Sequence, residues 1–143
     1  MKSMNIISRC QSTYRAQELS GELCAGHHPF VLAICTRPGR SQEELSKDIC
    51  INKSNVARTL SQLEEKGYVI RKPNPADKRQ SLVEPTEKML EIYPRIREIT
   101  VEWNKLIAKD IPDEDMEVFK RVLLKMEQNA RNVIDKNEEV KEE

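Results

Sequence analysis

Between Ser41 and Gly67 the chain carries two helix starts, a turn and a helix stop, and this spacing constrains the fold more than anything else in the sequence. Ser41-Gln42-Glu43-Glu44 has the S-x-x-E form of a capping box, in which the hydroxyl accepts from the Glu44 amide while the carboxylate reaches back. Leu45 and Ile49 follow four apart on one face. Cys50 and Ile51 make a turn, and Asn52 is a good N-cap for a second helix from Lys53 to about Lys66. Val56, Leu60 and Leu63 give that helix one buried stripe. Gly67 ends it at the position where a left-handed backbone is free of Cβ strain.

The next residues alternate rather than coil. Tyr68, Val69 and Ile70 begin an extended run, and Ser81, Leu82 and Val83 are its return partner. Arg71, Lys72, Lys78 and Arg79 surround Pro73, Asn74, Pro75 and Asp77 between them, so a hairpin with a long basic tip is expected. Helix, turn, helix and hairpin in this order describe a helix-turn-helix followed by a wing.

The flanks read as helices. Apolar residues from about Met4 to Leu23 form an imperfect stripe interrupted by Gly21, and Leu23–Gly26 is a connection. His28–Cys35 is short and nearly all apolar; Pro29 suits a first turn and Pro38-Gly39 a stop, which selects helix. Thr86 caps a long helix whose inward positions are Met89, Ile92, Tyr93, Ile96, Ile99, Trp103, Leu106 and Ile107. Pro94 predicts a kink between Leu90 and Pro94. A last helix from about Pro112 to Ile134 turns Met116, Phe119, Val122, Leu123, Met126, Ala130 and Val133 inward, and the charged run 136–143 is expected to be disordered. The fold class is therefore mostly α with a small β-hairpin wing. A single domain over 1–143 is expected, with a winged core at 37–86 and flanking helices at 4–36 and 87–135.

Net charge is zero, which taken alone argues against a polyanion partner. Its distribution argues the other way. Residues 47–82 hold eight basic and four acidic side chains, whereas 83–143 hold eleven and sixteen, so an acidic C-terminal third masks a basic core. The four cysteines, Cys10, Cys24, Cys35 and Cys50, form no C-x-x-C pair, and the two histidines are adjacent, which speaks against a metal site. No apolar run approaches the roughly 18 residues of a membrane span, and the N-terminus lacks a signal-peptide pattern; a cytoplasmic protein with free thiols and no cofactor is expected. Neither a phosphate-binding G-x-x-x-x-G-K nor G-x-S-x-G nor H-E-x-x-H occurs, so nothing points to an enzyme.

The chemistry that remains is recognition of double-stranded DNA. Opposite the buried stripe of the second helix lie Ser54, Arg58, Ser61 and Glu65, with Lys53 and Asn55 near its N-terminus. Arg58 suits bidentate contact with guanine and Asn55 with adenine; Lys53 and Ser54 suit phosphate or base, and Arg79 a narrow minor groove. Arg40, Arg71, Lys72 and Lys78 would contact phosphates, with Ser41 at the start of the first helix adding a further polar group. A winged helix docking a protein instead of DNA is the competing reading. The flanking helices carry more apolar surface than a small winged core covers, which implies a homodimer and hence a two-fold symmetric operator.

The same residues carry a resemblance. Lys53-Ser54 with Val56 and Arg58, Leu63-Glu64-Glu65-Lys66-Gly67, Arg71, Asp77-Lys78-Arg79 and Thr86 resemble the winged helix-turn-helix core of the MarR family of transcription regulators. The resemblance implies a homodimer of interwoven terminal helices, most often a repressor, with Arg58 in the major groove, Arg79 in the minor groove, and Asp77 orienting the wing by pairing with an arginine. Pro85 and Met89 depart from the family pattern. Members often bind small aromatic acids or lipophilic effectors between the dimer helices and the core, for which Tyr14, Arg15, His28 and Trp103 are candidates; the plainer reading makes Tyr14 and Trp103 dimer-core aromatics and Arg15 a surface charge. Some members sense oxidants through a cysteine on the first helix, which makes Cys10 a redox candidate.

Overall fold

The computed structural model describes residues 2–19, 21 and 23–142, with side chains through Ile134. Six α-helices and three short strands are present: α1 Lys2–Glu18, α2 His28–Thr36, β1 Arg40–Ser41, α3 Gln42–Ile49, α4 Lys53–Glu65, β2 Val69–Pro73, β3 Ser81–Pro85, α5 Glu87–Ile107 and α6 Asp113–Glu142, with a 3-10 turn at Ala25–His27. The chain divides into two compact units, Met1–Trp103 and Asn104–Glu143.

In the first unit the core is built by one face each of α2, α3, α4, the hairpin strands and α5. Phe30, Val31 and Ile34 of α2, Leu45 of α3, Val56, Leu60 and Leu63 of α4, Val69, Val83, and Met89 and Ile96 of α5 are all buried together. Two caps set the path into and out of the helix-turn-helix. Ser41 Oγ accepts from Glu44 N at 3.2 Å while Ser41 N donates to Glu44 Oε2 at 2.7 Å, so both halves of the box form. Asn52 Oδ1 accepts from Asn55 N at 2.8 Å and starts α4 after a turn in which Cys50 takes a left-handed conformation (φ 52°).

β3 is central in an antiparallel sheet of order β1-β3-β2, pairing Val69 with Pro85 and Arg71 with Val83 on one side, and Arg40 with Val83 on the other. The periodicity predicts only the hairpin; β1 is two residues long, too short to leave a pattern. Pro85, one of the departures from the family pattern, falls on the last pair of the ladder, and the adjoining Thr86 N donates to Tyr68 O at 3.0 Å to close the exit. Thr86 Oγ1 also donates to Gly67 O at 2.7 Å and accepts from Met89 N at 3.4 Å, so it ties the end of α4 to the start of α5.

α5 continues unbroken through Pro94. Leu106 and Ile107, which the periodicity turns inward, are exposed. α1 has no buried residue. In the second unit Phe119, Val122, Leu123, Met126 and Val133 of α6, all expected to face inward, are exposed as well. Periodicity reports an apolar face correctly and says nothing of which molecule covers it. α6 also runs to Glu142, across the 136–142 segment expected to be disordered. Residue 143 lies outside the described residues, and the kink expected at Pro94 does not interrupt the helix.

Candidate nucleic-acid interface

The start of α3, Lys53 at the start of α4, and the β-hairpin line one cleft of about 360 Å³, with Gln42, Glu43, Arg71, Arg79 and Ser81 among its walls. Lys53, Ser54, Asn55 and Arg58 are all exposed in the N-terminal half of α4. Arg58 Nη2 donates to Asn55 Oδ1 at 3.1 Å, one turn back, so the two groups best suited to read bases are held side by side.

The wing tip is shaped by its own short polar side chains. Asn74 Oδ1 accepts from Ala76 N and Asp77 Oδ1 from Arg79 N, each at 3.0 Å, and Asn74 N donates to Gln80 O to close the loop. Asp77 thus holds the Arg79 backbone amide, whereas the resemblance implies pairing with an arginine. Lys72, Lys78 and Arg79 are exposed on this scaffold.

Three of the expected contact residues are occupied by the protein itself. Arg40 is turned inward, its side chain 12% exposed: Nη1 lies 2.9 Å from Asp48 Oδ2 and Nη2 donates to Ala33 O at 2.5 Å. Ser41 is buried and spends its hydroxyl on the helix cap. Arg71 is half-buried, its Nη2 donating to Ser61 Oγ at 3.1 Å and its Nε lying 3.3 Å from Glu64 Oε2, which braces β2 against the side of α4. Arg40 and Ser41 turn their polar groups into the fold, whereas Arg71 lies on the surface and also lines the cleft.

A second cluster lies at α1, α2 and α5. The rings of Tyr14 and Trp103 are 5.4 Å apart at 37°, and Tyr14 Oη donates to Glu102 Oε2 at 3.4 Å. His28 is fully buried with Nε2 3.4 Å from Thr100 Oγ1, and burial, aided by the Arg15 charge, pushes its pKa down to about 4. Burial also lowers the Arg15 pKa. So the four residues proposed from sequence for effector binding are on facing elements, and His28 is neutral at physiological pH. Arg95 ties α5 to α1 through Glu18 at 2.7 Å. His27, for which sequence suggests only a helix start, is buried: Nδ1 accepts from Cys24 N at 3.3 Å and Nε2 lies 3.4 Å from Gln62 Oε1 of α4. Cys10 is exposed on α1, while burial raises the Cys35 thiol to about 11.

A capped helix pair whose second helix exposes Arg and Asn at its start, followed by a basic β-hairpin, defines a winged helix-turn-helix protein. Residues 31–81 match the model of the MarR family. The chain is 25% identical over 108 residues to the uncharacterized HTH-type transcriptional regulator YybA of Bacillus subtilis (strain 168), spanning 76% of this chain and 72% of that one. Its fold is similar to that of a MarR transcriptional regulator from Methanosarcina mazei Go1 (TM-score 0.85, 26% identity, 92% and 96% of the two chains). It is equally similar to a MarR family regulator from Listeria monocytogenes complexed with 26mer DNA (TM-score 0.87, 25% identity, 92% and 88%). Residues 31–81 thus carry a MarR-family match, within a fold shared with these MarR regulators.

Proposed function

We propose that the chain binds a palindromic DNA operator as a homodimer and represses transcription from it, with α4 in the major groove and the wing in the minor groove. The observation that carries this reading is the exposure of the reading groups: Arg58 is held against Asn55 on α4, and Lys53 and Arg79 line a common cleft, side chains that suit guanine, adenine, phosphate and a narrow minor groove. Ser54, Lys72 and Lys78 add contacts to the backbone. Arg40, Ser41 and Arg71 act indirectly, by fixing the start of α3 and the angle of the wing. The DNA complex of the Listeria relative supports the same use of the fold.

The dimer rests on uncovered apolar surface. Met4, Ile6 and Ile7 of α1 and, in the other unit, Phe119, Val122, Leu123 and Met126 of α6 are exposed in one chain, a stripe that a second copy would cover. Two copies of 1–143 act as one unit in the cytoplasm, and no described helix is long and apolar enough to cross a membrane. The cluster of Tyr14, Arg15, His28 and Trp103 is the candidate effector site, where a half-buried cation and a tilted aromatic pair on neighbouring elements suit a small aromatic acid.

Selecting bound sequences from a random duplex pool tests the reading. A recovered palindrome with half-sites about one helical turn apart is expected. A chain that docks a protein instead would enrich no sequence.

A further inference from the structure

Among the described residues that line the cleft, Glu43 is the one acid. Its Oε1 sits 3.0 Å from Lys53 Nζ and 3.9 Å from Lys47 Nζ, and the neighbouring Gln42 Nε2 donates to the Lys53 carbonyl at 3.4 Å. The start of α3 therefore holds both the ammonium and the backbone of the first residue of α4. In the first turn of α3 the carboxylate also stabilises the helix N-terminus, a modest role that does not need Lys53. Its side chain is 46% exposed and that of Lys53 62% exposed, and pairs of this kind contribute little. The pair also bears on a polyanion: a phosphate approaching Lys53 meets the Glu43 carboxylate beside it, a like charge that competes for the ammonium.

We propose that Glu43 is a specificity-determining residue that acts through Lys53. It withholds Lys53 from phosphates of arbitrary sequence and gives it up only where the base contacts of Arg58 and Asn55 fix α4 in the groove. The inference rests on the DNA-binding reading above. Pairing with Lys53 also holds the Glu43 carboxyl below its ordinary range, so the charge is present throughout the pH range in which DNA would be bound.

The test uses Glu43→Gln, which keeps the shape and removes the charge. Binding to the selected operator and to a random-sequence duplex is followed by fluorescence anisotropy between 50 and 200 mM salt. Freeing one lysine should steepen the logarithmic salt slope for random duplex by about 0.9, an extra loss of roughly three- to four-fold over that range. The random duplex should gain more affinity at low salt than the operator, so the ratio between them narrows. In a Lys53→Ala background the Glu43→Gln effect should vanish, which separates Lys53 from Lys47 and from any merely structural role; Glu43→Asp should restore the ratio.

An unchanged slope, equal gains on both duplexes, or an effect that persists in Lys53→Ala would each overturn the proposal. The wild-type protein binding neither duplex would instead overturn the DNA-binding reading itself, which keeps the two failures distinguishable.

Discussion

Ser41 decides more of the structure than its size suggests. Its buried hydroxyl satisfies an α3 amide that would otherwise have no partner, and its own amide is satisfied by Glu44. Ser41→Ala should lower stability by about 1 kcal/mol, read as a drop in the thermal midpoint at unchanged far-UV circular dichroism. His28 has a consequence that depends on pH. Its folded pKa is about 4, below the ordinary 6.5, first because it is buried and second because of the Arg15 charge. Above 6.5 the neutral ring is accepted by folded and unfolded chains alike. As pH falls from 6.5 toward 4, the unfolded chain takes up a proton that the folded chain refuses, so stability declines across that window. His27 shifts in the same direction, chiefly through burial, and adds to the slope. The urea midpoint should fall between pH 7.5 and 5, and His28→Gln should flatten that dependence whatever it does to the absolute stability; a midpoint independent of pH in the wild-type chain would contradict the assignment.

At the scale of elements, the solvent-facing stripe on α6 makes a definite claim. Phe119, Val122, Leu123 and Met126 recur at helical spacing and none is buried in a single chain. Phe119→Glu with Leu123→Glu should therefore convert a dimer to a monomer in sedimentation velocity, while a wild-type chain that sediments as a monomer would remove the basis for two-fold operator symmetry. What the sequence made legible among the elements follows from where the signals are local. Caps at Ser41 and Asn52, the stop at Gly67 and the α4 stripe each act within one or two turns, so helix bounds and core positions could be read directly. The β1 strand could not, because two residues paired to β3 carry no period of their own. Site residues behaved similarly. Arg58, Asn55 and Arg79 are exposed as residue type and helix phase suggest, and the Ser41–Glu44 cap is local and readable, whereas the pairing of Arg40 with Asp48 and of Arg71 with Ser61 leaves no pattern in the sequence. Partner choice is tertiary, and Glu43 was missed for the same reason: only the fold brings it against Lys53.

For the whole molecule, the charge pattern and the helix-turn-helix describe one division of labour. A basic core, +4 over 47–82, is carried by a chain of zero net charge because the helical C-terminal third is acidic. That arrangement concentrates attraction on the cleft and keeps the remaining surface from binding polyanions at random. An effector at the Tyr14–Trp103 cluster would act on the placement of the two clefts rather than on their chemistry, since its residues lie on α1, α2 and α5 and none lines the cleft. The central claim, that Arg58 of α4 and Arg79 of the wing both read DNA, is tested most directly by anisotropy titration of the selected operator with wild-type protein and with Arg58→Ala/Arg79→Ala. The account predicts that the double variant stays folded and dimeric and loses at least 100-fold in operator affinity, roughly 3 kcal/mol, as expected for one lost base contact and one lost minor-groove contact. Unchanged operator affinity in the double variant would contradict it.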